Sequence, residues 1–283
     1  MQLTSRLLTL VSVVISTGCV APAPEDASRP AFEGPGPQPD GSVLLPNQWS
    51  LRPVGRQIVL GDFPVNVAVH PSGRFAAVLH SGYGQHEIVV VEIPSGKVVS
   101  SAALEETFYG LEFSRDGRQV FCSGAGDETI HLFSFADGFL SNHAVVALHG
   151  EKDRGIPSGL AVGREAKTLF AANLWSHRIS EVDLSNRTNV GDILLGTNAA
   201  PAAAAGSGGA PDSDLAAITK RAEAILDQTT SVDPFPYACV LDETRSRLYV
   251  SLWAQSSVAV IDLKTRTLAT RWPTEEHPNE MVL

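Results

Sequence analysis

Eight histidines, with carboxylates, tyrosines and tryptophans around them, are the residues here with chemistry to offer, and their spacing limits what that chemistry is. His70, His80 and His86 form the densest histidine group but lack the short ligand spacing of a metal knuckle, so no metal ion or cofactor is expected. No Ser-His-Asp set stands out from the scattered serines, histidines and aspartates. The Gly124-Ala125-Gly126 stretch has no helical pattern behind it and reads as a turn, not a dinucleotide loop. Cys122 and Cys239 fall inside apolar runs and read as small buried hydrophobes. What remains is binding chemistry: aromatic rings beside amides, hydroxyls, imidazoles and one carboxylate. Asn66, Tyr109, Ser158, Tyr237 and Glu280 recur near one point of a repeated phrase, while His80, Tyr83, His86, Trp175, His177 and Trp253 fall where apolar runs break. This set suits the holding of a protein, a peptide or a glycan, and no catalytic residue is expected.

The elements that must position these residues come from the repeat. The phrase runs PVNVAVH at 64–70, FYGLEFS at 108–114, PSGLAVG at 157–163, PYACVLD at 236–242 and PNEMVL at 278–283. Once an Ala/Gly/Pro-rich insertion is set aside, the copies recur about every 44 residues, inside the window for propeller blades. Each full copy continues with three further runs of about four to seven residues rich in Val, Ile and Phe, separated by turn clusters such as PSG at 71–73, DG at 116–117 and DG at 137–138. The expected fold is therefore all-β: a β-propeller with four recognisable four-stranded blades and the first strand of a fifth, an incomplete ring over residues 45–283. In a closed ring the segment at 56–61 (RQIVLG) would serve as the outer strand of the last blade, fastening the two ends, but the expected ring is incomplete and lacks that blade.

In such a blade the loop between strands two and three lies on the same face as the connections between blades. That face gathers the candidate residues named above, together with Gln85, Asp127, Glu128, Asn173 and Gln255. The insertion at 197–231 reads as a mobile Ala/Gly/Pro stretch followed by one amphipathic helix at 213–228, with Leu215, Ile218, Ala222, Ile225 and Leu226 on one side.

Residues 1–23 read as an export signal. Arg6 precedes a nine-residue apolar stretch at 7–15, too short to span a bilayer. The sequence STGC at 16–19 resembles a bacterial lipoprotein site, with Ser16 where Leu or Val is usual, and makes Cys19 the candidate lipidated residue. The APA at 21–23 offers an ordinary signal-peptidase site instead. Residues 24–44 read as a flexible tether. The expected location is outside the cytoplasm, as a periplasmic or cell-envelope lipoprotein or a secreted soluble protein, with membrane contact only through a lipid. The chain has 283 residues, 43% of them hydrophobic and 18% charged, with a formal net charge of −10. That balance supports a sizeable core and excludes a basic nucleic-acid footprint.

The phrases HPSGR, VVVEIPSGKVV, FSRDGR and VAVIDLKTRT resemble the YVTN/YncE-type bacterial propeller repeat. More narrowly, the segments beginning LPNQWSLRPVGRQIVLGDFPVNVAVHPSGRFAAV, LYVSLWAQSSVAVIDLKT and WPTEEHPNEMVL are similar to propellers at the N-terminus of secreted YncE-like proteins. Several of those continue into an alkaline-phosphatase-superfamily phosphoesterase domain. The resemblance covers residues 45–283 and implies a propeller of about seven blades, so this chain reads as a truncated copy. It implies a non-enzymatic binding or scaffolding module, with a phosphoesterase domain or neighbour as one partner. The alternatives are the front part of such a phosphoesterase, or a metal-dependent propeller lactonase. For the lactonase, Asn66 and Glu280 occupy plausible positions, but Tyr109, Ser158 and Tyr237 stand where further ligands would be needed.

Overall fold

The computed structural model describes residues 34–196 and 233–283. The export signal with Cys19, the tether up to residue 33, and the insertion with its helix at 213–228 lie outside the described residues.

The chain divides into two compact units at residue 57. In the first, β1 (Gly36–Pro37), β2 (Val43–Leu44) and β3 (Ser50–Leu51) form a small antiparallel meander. Asp40 organises its first turn, accepting from the main-chain N–H and the hydroxyl of Ser42 and pairing with Arg52 at 2.8 Å. Part of the stretch expected as tether is thus paired strand. An Asx turn and two short ladders hold it, with Trp49 and Leu51 exposed.

The second unit holds four meanders. Blade 1 is β4 (Pro64–Val69), β5 (Phe75–His80), β6 (Glu87–Glu92) and β7 (Lys97–Ala103); blade 2 is β8 (Leu111–Phe113), β9 (Gln119–Ser123), β10 (Thr129–Ala136) and β11 (Phe139–Ala147). Blade 3 is β12 (Pro157–Val162), β13 (Thr168–Asn173), β14 (Arg178–Asp183) and β15 (Thr188–Leu194); blade 4 is β16 (Pro236–Asp242), β17 (Arg247–Leu252), β18 (Ser257–Asp262) and β19 (Thr267–Pro273). Each is a four-stranded antiparallel sheet in sequence order. The inner strands β4, β8, β12 and β16 adjoin in that order, so the fold is an all-β propeller with an open ring.

Successive side chains on a strand point to opposite faces, and here both faces are buried. Val120 and Cys122 on β9 pack toward blade 1 with Leu79, Val90 and Phe135, while Phe121 between them packs toward blade 3 with Leu169 and Val182. On β13, Leu169 and Ala171 face blade 2, and Phe170 and Ala172 face blade 4 beside Leu248 and Ile261. This double burial is why the strands read as continuous apolar runs and not as alternating ones. At the four hairpins of blades 1 and 2, Gly73, Gly96, Gly117 and Gly138 take the left-handed backbone; in blades 3 and 4, Ala166, Arg187, Ser246 and Arg266 take it at the steric cost glycine avoids.

The inner strands approach more closely than a Cβ allows. A Cβ on Gly110 would stand 2.2 Å from the carbonyl oxygen of Ser158, and one on Gly159 would stand 2.5 Å from that of Tyr237. Side-chain donors bridge the same gap: Asn66 Nδ2 to Tyr109 O at 2.8 Å, Ser158 Oγ to Tyr237 O at 2.8 Å and Ser251 Oγ to Asn279 O at 2.9 Å.

The segment at 56–61, which a closed ring would use as an outer strand, is not a strand in this open one; its Ile58 and Leu60 lie on Val78, Val89 and Val91 and cover the first face of blade 1. The expected first strand of a fifth blade is corrected: the copy at 278–283 enters no ladder and is held at Asn279 O by the Ser251 hydroxyl.

Replacing Gly110 or Gly159 with alanine is expected to cost about 1–3 kcal/mol, since the clashing atom is main chain and cannot swing aside. Gly150→Ala, with nothing within 4 Å of its Cβ, is the matched control. Denaturant midpoints check this: all three variants unfolding together would count against the close approach.

Candidate binding face and central channel

Main-chain bonds knit the loops between second and third strands to the connections between blades, which places both on one face. Leu104 N–H donates to His86 O at 2.8 Å, Leu148 to Glu128 at 2.8 Å, Leu195 to His177 at 3.1 Å and Thr274 to Ser256 at 2.8 Å, one such bond per blade. Inside this rim the inner strands surround a channel of about 340 Å³ lined by Asn66, Tyr109, Glu112, Gly159, Cys239, Glu280 and Met281, among others.

The channel carries an aromatic ledge. The Tyr109 and Tyr237 rings lie 4.6 Å apart at a tilt of 48°, and Phe108 meets Tyr237 edge-on at 6.2 Å. Blades 2 and 4 reach each other this way because blade 3 offers only Ser158 and Gly159 between them. The Ser158 side chain is fully buried, its hydroxyl donated to Tyr237 O, so it supports the ledge without being displayed. Burial raises the Tyr237 phenol, keeping it a neutral hydrogen-bonding group.

Two carboxyls share the channel. Burial pushes Glu112 up to about 8, opposed by the Val162 N–H that donates to its Oε2 at 3.1 Å. Burial also raises Glu280, against a hydrogen bond from the Met281 main chain. Cys122 and Cys239 are free, buried thiols, raised by burial, with Glu112 a further cause at Cys239. Glu112 was not singled out in the sequence because its copy reads LEF, an ordinary strand alternation. It lies on inner strand β8 beside the inner strand of blade 3, from whose Val162 N–H it accepts, and lines the channel.

Around the rim the anticipated residues have different fates. Tyr83 is fully exposed, and Trp175 is 65% exposed. His86 is fixed by Gly82 O on Nε2 and by the Thr107 N–H on Nδ1. His177 meets the Phe235 ring at 4.8 Å, with Asp233 3.9 Å from its Nε2. Trp253 stacks on His277 at 4.1 Å. The expectation that His80 is displayed is corrected: its side chain is wholly enclosed, 3.7 Å from Glu87 Oε1 and pressed against Gly61. Strand alternation puts it beside Val78 on the face that the segment at 58–61 covers. Glu128 is also interior, its Oε1 accepting from Ile156 N–H at 2.8 Å. Asn173 is buried as well.

A second cavity of about 610 Å³ lies between blades 1 and 2, lined by Gln85, Glu105, Asp127, His131 and His143. His131 Nδ1 is 3.1 Å from His143 Nε2, and burial lowers both imidazoles. The pair went unnoticed in the sequence because the bulge between Leu132 and Ser134 shifts the register that brings β10 and β11 together.

No family model and no curated protein matches the chain. Among solved structures it is similar to hydrazine synthase of Kuenenia stuttgartiensis, with 13% identity and a TM-score of 0.53 over 79% of this chain and 52% of that one. It is also similar to the Swd1 β-propeller domain of Myceliophteria thermophila, with 15% identity and a TM-score of 0.52 over 78% and 60%. A functionally unknown protein of Desulfotomaculum acetoxidans matches with 15% identity and a TM-score of 0.50 over 70% and 51%. The chain therefore spans between 51% and 60% of the length of these structures. At such identities the likeness establishes the propeller fold and nothing finer.

The raised Glu112 carboxyl has a thermodynamic consequence. Its folded value of about 8 lies above the ordinary 4.5, so the folded state holds a proton that the unfolded chain releases between those pH values. Its contribution is fully present below about pH 4.5 and is lost as pH rises through about 8. Melting temperatures across that window should fall more steeply for the native chain than for Glu112→Gln. Parallel curves for the two would contradict the assignment.

Proposed function

We propose that this chain is an exported β-propeller binding module of the YncE type, held at the cell envelope, which engages a glycan through its channel mouth and rim. The observation that supports this most is the Tyr109–Tyr237 ledge across Ser158 and Gly159, with Asn66 and Glu280 lining the same channel. Aromatic faces beside amide and carboxyl groups match a sugar ring, whose C–H face stacks while its hydroxyls exchange hydrogen bonds. Trp175 and Trp253 on the rim extend the aromatic surface for further rings along a chain. A propeller suits this task because its loops differ while the blades beneath stay rigid. Scaffolding of a neighbouring phosphoesterase is compatible with the same face.

The test is a titration of the full chain with an array of envelope-derived oligosaccharides, alongside a peptide library of equal size. A glycan whose affinity falls at least tenfold with Tyr237→Ala is the expected result, about 1.4 kcal/mol or more for the lost stacking. Binding of peptides alone, or of glycans with the same affinity in Tyr237→Ala, would overturn the reading. The anchoring is checked separately: cells fed radiolabelled palmitate should label the native protein and not Cys19→Ser, and labelling of neither would favour cleavage after the APA at 21–23.

A further inference from the structure

The central channel is charged in one sense only. Glu112 and Glu280 line it, and among the described residues no Lys, Arg or His does. Burial raises both carboxyls, and what opposes it is main-chain hydrogen bonding, from Val162 at Glu112 and from Met281 at Glu280; no cationic side chain lowers either. The field of Glu112 reaches β16, where it is a further cause of the raised Cys239 thiol. Elsewhere in the fold acids are matched, Glu92 by Arg74, Glu243 by Arg164 and Asp262 by Arg247. The channel acids are matched by nothing in the described chain.

A cleft with low-dielectric walls focuses the field of such charges into the space a ligand fills. The rest of the lining selects the kind of cation. The Tyr109 and Tyr237 rings, 4.6 Å apart, offer π faces, which attract a cation within about 6 Å of a ring centroid. Asn66 Oδ1 accepts from the Val67 N–H at 2.7 Å and has a second lone pair to give. A bare metal ion needs several ligands at one point, and among the described residues no three His, Cys, Asp or Glu side chains converge. An ammonium group instead directs three N–H donors apart, toward separate acceptors, and tolerates an aromatic face. The channel, about 340 Å³, lies at the small end of ligand sites and has room for a sugar ring bearing such a group.

These features narrow the glycan reading, on which the inference rests. We propose that the sugar held in the channel is an amino sugar with an unsubstituted amine, whose ammonium charge is matched by Glu112 and Glu280 while the Tyr109–Tyr237 ledge takes the ring face. An N-acetylated or hydroxyl sugar brings no charge to the channel and leaves both acids as they are.

Calorimetry on the full chain, at about 0.15 M salt to screen the acidic surface, compares three β-1,4-linked tetramers that differ only at carbon 2: glucosamine with an amine, N-acetylglucosamine with an acetamide and glucose with a hydroxyl. The amine tetramer is expected to bind at least tenfold more tightly than either of the others, about 1.4 kcal/mol. Glu112→Gln should abolish that preference. Glu165→Gln, an exposed acid paired with Lys167, should leave it intact. Equal or tighter binding of the acetamide or hydroxyl tetramer would overturn the inference and leave the glycan reading standing. Binding of none of the three, while the oligosaccharide array yields another glycan, would do the same; no binder in either experiment would sink both. A preference that survives in Glu112→Gln, or falls equally in Glu165→Gln, would assign the amine to the acidic surface and also overturn the inference. If Glu112→Gln does not fold, Glu280→Gln carries the same comparison.

Discussion

Around the axis of this fold each inner strand lies so near the next that a carbonyl oxygen takes the place of a side chain. Ser158 O sits where a Cβ of Gly110 would be, and Tyr237 O where a Cβ of Gly159 would be. Such contact brings unpaired strand edges together without forming a ladder, so other donors must serve the carbonyls. Asn66, Ser158 and Ser251 do this from one blade to the next. The separation fixed at the axis sets the angle between blades, and the angle sets how much side-chain volume fits further out. Near the axis Leu111 and Leu160 are enough; farther out the wedge is filled by Phe75, Phe133, Phe135 and Phe170.

The same constraint makes no blade self-sufficient. The three clusters between blades each draw on two adjacent sheets, and the central strands of blades 2 and 3 each contribute to two of them. Removing a blade would expose apolar faces on both neighbours, so stability resides in the seams more than in the sheets. It also explains how the chain meets solvent at its first blade. Ile58 and Leu60 lie over Val78, Val89 and Val91, doing in part what a neighbouring sheet does elsewhere.

Much of this was legible in the sequence, because the repeat states the blade boundaries and double burial states itself as unbroken runs of Val, Ile, Phe and Ala. The grouping of loops on one face followed from strand alternation alone. Which side chains that face displays did not follow. His80 ends β5 in the same alternation as Val78, so it is carried inward, although an imidazole next to a Ser-Gly turn reads as exposed. Glu112 was hidden for the opposite reason: a channel-facing position on an inner strand resembles any solvent-facing one. The short meander at 36–51 escaped notice because two-residue strands leave no periodicity. Its fixed points are a turn aspartate and an arginine twelve residues on.

Among the described residues, carboxylate bonds across the seams gather on blade 3. Glu112 and Glu128 of blade 2 accept from the Val162 and Ile156 main chain, and Glu243 of blade 4 accepts from Arg164 N–H at 2.9 Å while pairing with its guanidinium at 3.2 Å. Arg266 of blade 4 reaches Glu181, and Arg271 reaches Leu195 O. The seam between blades 1 and 2 combines rings, with His70 against Phe113 and Phe135, and neutral donors such as Asn66 Nδ2 to Tyr109 O and Ser100 Oγ to Gly138 O. Aromatic packing tolerates small slides, whereas a carboxylate on a main-chain N–H fixes a position to within a fraction of an ångström. Blade 3 is also the sheet over which Tyr109 and Tyr237 meet. A binding surface assembled from three blades needs its middle member held still, and the carboxylates on either side of blade 3 are placed to hold it.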